Sequence, residues 1–256
     1  MSVKLNQLVD SLVKTSPPGE LPQINNSLSA LTHESIDQAL EKYINENSSV
    51  FSGYIASQYN KDANSSKYID YVSKKMFNID TKSFKAIDIE SYTAHADYPS
   101  YFDELVKKLE TYGEDHYPQF AFTVIPGDVV RVIIIGRRLN PDNFYTGQWK
   151  SEYAIQNGQI SGTVNLDIHY YEDGNVRLKL DEKLDGESVG GSASDIVNFI
   201  SNSETKVTLK IIDQFNDLNQ QQFKNLRRLL PITRSKINWG NAIGNYRLGS
   251  DVVNKK

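Results

Sequence analysis

The sequence predicts an α+β fold in which short N-terminal helices precede an antiparallel β-meander that is covered by a long helix. Apolar residues recur at helical spacing in residues 1–50, alternate with polar residues in residues 119–181, and return to helical spacing after residue 191. At 256 residues the chain has room for one large domain or two small ones. It contains no cysteine, which excludes disulfide scaffolds and thiol chemistry and fits a reducing compartment.

Residues 1–50 are expected to form an antiparallel bundle of three short helices. The first two helices carry apolar stripes at i, i+3, i+4 and i+7 or similar spacing: Leu5, Leu8, Val9 and Leu12, then Leu21, Ile24, Leu28 and Leu31. The prolines in Ser-Pro-Pro-Gly-Glu at residues 16–20 end the first helix. Ser35 can cap the third. Residues 51–117 form a small mixed region in which only residues 101–112 show a clear helical pattern.

Residues 118–190 are predicted to form the central antiparallel sheet, with one buried face. Residues 129–135 are almost continuously apolar, which is typical of a strand covered on both faces. Long alternating runs at 144–155 and 160–170 are joined by Asn157-Gly158, a strong hairpin signal because both residues tolerate positive φ. His169 falls on the polar face, where a structural or exposed role is expected.

A long helix should follow and cover the apolar face of the sheet. Gly190-Gly191 precedes Ser192 and Ser194, either of which can cap it, and its apolar period continues to Leu218. A helix of this length can cross a whole sheet. A basic helical piece then leads to Pro231, so that the long helix and the basic helix together occupy residues 191–231.

The C-terminal segment differs in charge from the rest of the chain. Residues 221–256 carry +7, whereas the whole chain carries −4, so the preceding 220 residues carry −11. This asymmetry indicates a partner with an acidic surface, and the alternative is a solvated helix face followed by a loose basic tail.

Beyond Pro231 the chain is predicted to form a short amphipathic tail over residues 232–256. Its apolar side consists of Ile237, Trp239, Ile243 and Tyr246. Glycines and short length weaken such a helix in isolation. The stripe therefore either fits a hydrophobic groove on a partner or packs on the core of its own chain.

No catalytic constellation is evident, so the sequence favours a binding protein over an enzyme and predicts no cofactor. The four histidines lack metal-ligand spacing, and no Gly-x-Ser-x-Gly or phosphate-binding loop is present. Without a signal peptide or a run of about 20 apolar residues, a soluble intracellular protein is expected. A module that binds nucleic acid or anionic lipid through the basic stretch is the alternative, although the chain is acidic overall and lacks an RNA-recognition or zinc-finger signature.

Four stretches resemble a known family. They are residues 16–20, the Asn-Phe-Tyr-Thr-Gly-Gln-Trp-Lys-Ser-Glu-Tyr run at 143–153, His-Tyr-Tyr-Glu-Asp-Gly-Asn-Val at 169–176, and Leu-Arg-Arg-Leu-Leu-Pro-Ile-Thr-Arg-Ser-Lys-Ile-Asn-Trp at 226–239. In order along the chain, they are similar to the alpha subunit of F-actin-capping protein, the CapZ type. The last two runs are the most specific. The chain is somewhat shorter than the animal pattern, and residues 51–117 match it weakly.

The resemblance implies a heterodimer with a beta subunit of similar fold. The two subunits would share one continuous sheet, with a long helix from each laid across it. Residues 1–50 would form part of a stalk, and residues 232–256 would be the C-terminal "tentacle". Such a dimer binds the barbed end of an actin filament without calcium and blocks addition and loss of subunits, which places it in the cytoplasm with cortical actin.

The resemblance also implies which residues bind actin. The family's basic residues ahead of the tentacle correspond to Lys224, Arg228 and Arg234, and Arg227 and Lys236 lie beside them. The apolar face of the tentacle corresponds to the stripe from Ile237 to Tyr246. In the family, the same surface meets phosphoinositide lipids and the inhibitor myotrophin, which compete with actin; no nucleic-acid partner is implied.

Overall fold

The fold is taken from a computed structural model that describes residues 3–32, 37–93, 98–172, 174–218 and 220. It contains five α-helices and ten β-strands in these residues, and all the strand pairs are antiparallel. The chain divides into two compact units, Met1–Glu204 and Thr205–Lys256. The mixed helical and antiparallel character predicted from the sequence is therefore confirmed.

Three helices occupy the N-terminal part, where the sequence predicts three. They are α1 (Val3–Lys14), α2 (Leu21–Thr32) and α3 (Asp37–Asn47). Their buried apolar side chains form a small core of Val9, Val13, Leu21, Leu28, Ala39 and Leu40. The predicted cap Ser35 lies outside the described residues. The break between α1 and α2 falls at residues 16–20, as the prolines require.

The middle region holds more strands than its sequence pattern indicates. A hairpin of β1 (Ser49–Phe51) and β2 (Tyr54–Ala56) is followed by a three-stranded sheet of β3 (Tyr68–Asp70), β4 (Lys75–Asp80) and β5 (Lys85–Ser91). Next comes α4 (Phe102–His116), which extends four residues beyond the predicted helical pattern. Within this extension, Gly113 lets the ring of Phe120 approach the helix backbone, where a Cβ would meet the ring at 2.1 Å.

The main sheet is the predicted meander, in the order β10-β9-β8-β7-β6. Its strands are β6 (Phe120–Ile125), β7 (Val130–Asn140), β8 (Tyr145–Gln156), β9 (Gln159–Tyr170) and β10 (Val176–Ser188). Asn157 and Gly158 connect β8 to β9 with φ angles of 52° and 73°, as a two-residue hairpin turn with positive φ at both positions requires. The hairpin signal is thus confirmed.

One face of the sheet packs against two helices. The core there joins Val132, Ile134, Tyr153 and Ile160 of the strands to Leu105 and Leu109 of α4 and to Ile196 and Ile200 of α5 (Ala193–Asp217). Ser192 caps α5, since its Oγ accepts a 3.2 Å hydrogen bond from the Asp195 amide and donates a 2.7 Å bond to the Asp195 carboxylate. Of the two predicted caps, Ser192 is therefore the one used.

The expectation of a single buried face is wrong, because the second face of the sheet is also covered in part. Ile133 and Ile135 of β7 pack there against Ile55 of β2, as their continuous apolar run indicates. Further along this face, the link between α1 and α2 lies on the polar side chains of β9 and β10. Alternation along a strand shows which positions are polar. It does not show whether these side chains face water or form hydrogen bonds with another part of the protein.

Candidate functional site

All the predicted actin-binding residues lie outside the described part of the chain. These are Lys224, Arg227, Arg228, Arg234 and Lys236, together with the apolar tail residues Ile237, Trp239, Ile243 and Tyr246. The structure describes how α5, the helix that precedes them, packs on the sheet. It also describes how the family-like stretches at 16–20 and 169–176 contact each other.

The first half of α5 is fastened to the sheet by a buried carboxylate. Glu204 is 5% exposed and accepts hydrogen bonds from Tyr112 (2.8 Å), Ser151 (2.6 Å) and Tyr153 (3.1 Å). The hydroxyl of Tyr117 also donates to it. The donors come from α4, from the residue that follows α4, and from β8, so a single side chain joins three elements of the fold.

The tyrosines around Glu204 are held in their neutral, donating form. Burial, followed by the negative charge of Glu204, raises the pKa of Tyr112, Tyr117 and Tyr153 above the ordinary value. Because the hydroxyls keep their protons, each can donate to the carboxylate. An unpaired buried carboxylate is very costly, and four hydroxyl donors supply the needed partners.

Glu204 also fixes the rotation of α5 about its own axis. It follows Ile196 and Ile200 at intervals of four residues, so the carboxylate lies on the same helical face as these buried apolar side chains. Sequence reasoning missed this residue. The signal that could have found it is a charged side chain on the apolar stripe of a helix, because such a residue needs buried partners.

A second polar cluster holds the link between α1 and α2 against the sheet. His169 is buried, with Nδ1 2.6 Å from Oε1 of Glu20 and Nε2 2.9 Å from Oδ1 of Asn175. Thr146 donates to the same Glu20 oxygen at 3.1 Å. Of the two roles considered for His169, the structural one is therefore correct.

Arg177 completes this cluster. Its Nε and Nη2 donate to the two carboxylate oxygens of Asp167 at 2.8 and 2.6 Å, and Nη2 also donates to the carbonyl of Ser16 at 2.9 Å. A further bond reaches the carbonyl of Thr15. The family-like stretch at 16–20 thus contacts the one at 169–176 through the side chains of Glu20 and His169.

The described residues contain no group of three or more His, Cys, Asp or Glu side chains that could hold a metal ion. His33 and His95 lie outside those residues, and Nδ1 of His116 lies 2.8 Å from the carbonyl oxygen of Tyr112. Across the same part of the chain, no helix combines the length and apolar character needed to cross a membrane.

The comparison with protein families decides the identity of the chain. A family model described as F-actin capping protein alpha subunit matches residues 9–251. The chain belongs to this family. The resemblance carried by the four stretches is therefore confirmed over nearly the whole sequence.

Full-length relatives agree with this family. Proteins named F-actin-capping protein subunit alpha are 60% identical in Debaryomyces hansenii, 54% in Candida albicans and 35% in Saccharomyces cerevisiae. Each alignment covers 100% of this chain and at least 99% of the relative. The comparisons do not support the alternative of a nucleic-acid or lipid-binding module.

A solved structure shows the same fold. The homodimeric actin capping protein alpha subunit of Plasmodium berghei superposes with a TM-score of 0.65 at 18% identity, covering 81% of this chain and 91% of that one. A likeness at this identity concerns the fold of the subunit, and the fold is that of a capping protein alpha subunit.

Proposed function

We propose that this chain is the alpha subunit of a heterodimeric actin capping protein that binds filament barbed ends without calcium and blocks addition and loss of actin subunits. The observation that carries the proposal is full-length similarity to proteins named F-actin-capping protein subunit alpha, at up to 60% identity among the relatives above. In this proposal the protein works in the cytoplasm, in cortical actin structures, with neither a cofactor nor a catalytic residue.

The basic segment supplies the first contact with actin in this proposal. Lys224, Arg228 and Arg234 touch the filament end, with Arg227 and Lys236 beside them, and the +7 charge of residues 221–256 draws them to an acidic surface. Exposed ion pairs contribute only about 0–1 kcal/mol each, so these cations mainly raise the association rate. The same surface would take phosphoinositide lipids or an inhibitor that competes with actin.

Slow dissociation needs a further contact, which we assign to the apolar tail face of Ile237, Trp239, Ile243 and Tyr246 together with the partner subunit. Two binding sites tethered in one dimer raise avidity through effective concentration. Within the first unit, Glu204 ties the first half of α5 to the sheet.

The edge of the main sheet supports a partner subunit. In the described residues β10 pairs only with β9, so no second described strand pairs with this 13-residue edge strand. The opposite edge, β6, lies against α4 and β2. An open antiparallel edge invites another strand, so we assign β10 to a continuous sheet with a beta subunit. Leu209, Ile212, Phe215 and Leu218 are exposed apolar residues that fit the same partner.

The regions of the chain have separate roles in this proposal. Residues 1–50 form the helical stalk, 51–117 a small mixed region, 118–190 the central sheet, 191–231 the long helix with the basic helix, and 232–256 the tentacle.

Barbed-end elongation from filament seeds tests the actin contacts. In the purified dimer, reversing Lys224, Arg228 and Arg234 to Glu should slow capping about tenfold or more and reduce its dependence on salt. A matched control reverses Lys75, Lys82 and Lys107, three exposed lysines on other parts of the molecule, and should cap normally. Equal capping by both triple variants would overturn the assignment. Capping in EGTA and in calcium should be the same.

Co-expression tests the heterodimer. The chain alone should aggregate, whereas co-expression with the matching beta subunit should give a stable dimer by light scattering. A monodisperse monomer that caps filaments would contradict the proposal. A stable homodimer would instead favour the arrangement named for the Plasmodium berghei protein.

A further inference from the structure

A cavity of about 410 Å³ lies between the start of α2, strand β1, the turn between β4 and β5, and the end of β7. Its wall is largely apolar, formed by Leu21, Pro22, Val50, Phe51, Phe84 and Leu139. Its size and lining are those of ligand sites, which are mostly apolar with a few polar groups that fix orientation. All these residues belong to the first unit of the chain, and none of them contributes to the proposed actin contacts.

Arg137 is the distinctive polar group of this cavity. Its guanidinium makes one hydrogen bond to described residues, from Nη2 to the carbonyl of Val50 at 2.8 Å, and its buried Nε has no partner among them. None of the described residues that line the cavity is acidic. Burial lowers the pKa of Arg137 to about 10, and only the neighbouring Tyr43 opposes this.

Arg137 is partly buried, with its Nε fully buried, and no carboxylate among the described residues pairs with it. This is unusual, because arginines removed from water are normally paired. The carboxylates of the adjoining cluster are already engaged: Glu20 contacts His169 and Thr146, and Asp167 is held by Arg177. The described part of the fold therefore leaves Arg137 with unused donor capacity beside an apolar space.

The cavity continues into a second, polar cleft of about 250 Å³, with which it shares Pro18, Tyr43 and Gln148. The charged side chains of this cleft are Lys14, Lys150, Arg177, Lys179, Asp167 and Asp181, and Lys85 adds a further cation to the cavity. The cations of the polar cleft are already paired, Lys14 with Glu46, Lys150 with Glu152, and Arg177 and Lys179 with Asp167. A ligand that spans both parts of the groove must be extended.

We propose that this groove binds an extended acidic segment of a partner protein, in which a carboxylate pairs with Arg137 and an adjacent apolar side chain fills the cavity. Arginine suits this role because its planar fork can donate two parallel hydrogen bonds to a carboxylate. Lys85, exposed in the wall of the cavity, favours a further acidic residue on the same segment. The site is separate from the actin contacts and does not depend on them.

Selection from a phage-displayed random octapeptide library tests the proposal, using the full chain in the assembly in which it purifies. Selected peptides should carry Asp or Glu next to an apolar residue. Changing that acid to its amide, or Arg137 to Met, should weaken binding about tenfold or more. The peptide affinity of Arg137→Lys should lie between those of the wild type and Arg137→Met, since lysine keeps the charge but lacks the two parallel N–H donors of the guanidinium. Arg138→Met, at the exposed neighbouring position, is the matched control and should bind like the wild type.

Two further measurements keep the test decisive. The unfolding temperature of Arg137→Met should equal or exceed that of the wild type, because the variant removes a partly buried charge that has no counter-ion among the described residues. If Arg137→Met fails to fold, peptide binding is compared instead between the wild type and Lys85→Ala, and between the acidic peptides and their amide versions on the wild-type chain. Both changes should weaken peptide binding. Selection without enrichment of acidic residues, or selected peptides that bind Arg137→Met as tightly as the wild type, would overturn the proposal.

Discussion

The carboxylate of Glu204 on α5 accepts a 3.1 Å hydrogen bond from the hydroxyl of Tyr153 on β8, and both side chains are buried. A charged group thus joins helix to sheet inside an otherwise apolar core. Its partners can only be reached in one register of the helix, because sliding or rotating α5 would leave the carboxylate without donors. The contact therefore specifies an arrangement that apolar packing alone would leave less defined.

Glu204→Gln should lower the free energy of unfolding by about 2–3 kcal/mol. The amide keeps only one acceptor oxygen, so its NH2 group faces hydroxyls that donate to the carboxylate in the wild type. Urea denaturation followed by circular dichroism measures the loss. Glu110→Gln, at an exposed position of α4, is the control and should change stability by less than about 0.5 kcal/mol. A Glu204→Gln protein as stable as the wild type would show that the carboxylate has no structural role.

Alkaline pH should destabilise the fold through the tyrosines around Glu204. The pKa values of Tyr112, Tyr117 and Tyr153 are raised in the folded state, and that of Tyr68 is raised to about 12. Unfolded tyrosines lose their protons near pH 10, whereas the folded ones keep them. Stability should thus be constant below about pH 10 with respect to these groups and fall as the pH rises above it.

Absorbance at 295 nm, together with urea denaturation at several alkaline pH values, tests this dependence. Tyr112→Phe should reduce the loss of stability above pH 10, because it removes one tyrosine whose pKa is raised in the folded state. Complete tyrosine titration near the ordinary pKa in a protein that remains folded would refute the expectation.

Arg177→Ala should cost about 2–3 kcal/mol of stability, because it removes a paired, partly buried guanidinium and leaves the carbonyls of Thr15 and Ser16 with one donor fewer. Lys179→Ala is the comparison on the same strand. Lys179 is half exposed and 3.7 Å from Asp167, so its loss should cost about 0–1 kcal/mol. Chemical denaturation of both variants decides the matter, and equal losses would contradict the assigned role of Arg177.

Gly19→Ala should be more destabilising than Gly53→Ala. Both glycines have positive φ, +81° and +89°, and an alanine there costs roughly 1–2 kcal/mol. At Gly19 the added Cβ also meets Cδ2 of Leu139 at 2.9 Å, while nothing lies within 4 Å at Gly53. Thermal melts of the two variants separate the steric cost from the backbone cost. A smaller loss of thermal stability for Gly19→Ala than for Gly53→Ala would show that the link between α1 and α2 moves freely away from Leu139.

The sequence could predict the elements whose pattern is local. The hairpin at Asn157-Gly158 and the start of α5 at Ser192 follow from residues a few positions apart. The sequence indicates short strands and loops in residues 51–91 but does not place the individual strands, because they are short and their side chains do not alternate in burial. In β5, Ile87 and Ile89 are both exposed, so the apolar pattern there does not mark a buried face.

The polar clusters could not be predicted from the sequence, because their partners are distant along the chain. Glu204 and Tyr112 are 92 residues apart, and Arg177 and Ser16 are 161 apart. A charged residue on an apolar stripe signals that partners are needed but does not name them. The opposite holds for Lys224, Arg228 and Arg234, whose roles come from the sequence and stay predictions.

The position of Glu204 in the chain has a consequence for biosynthesis. The four hydroxyl donors described above, on Tyr112, Tyr117, Ser151 and Tyr153, belong to residues at least 51 positions closer to the N-terminus. A ribosome therefore delivers the helix and strands that carry the donors before it delivers their acceptor. Until α5 emerges, those hydroxyls and the apolar strands around them face water. A nascent chain that stalls before residue 193 should accordingly be a chaperone substrate, even though its meander is already complete.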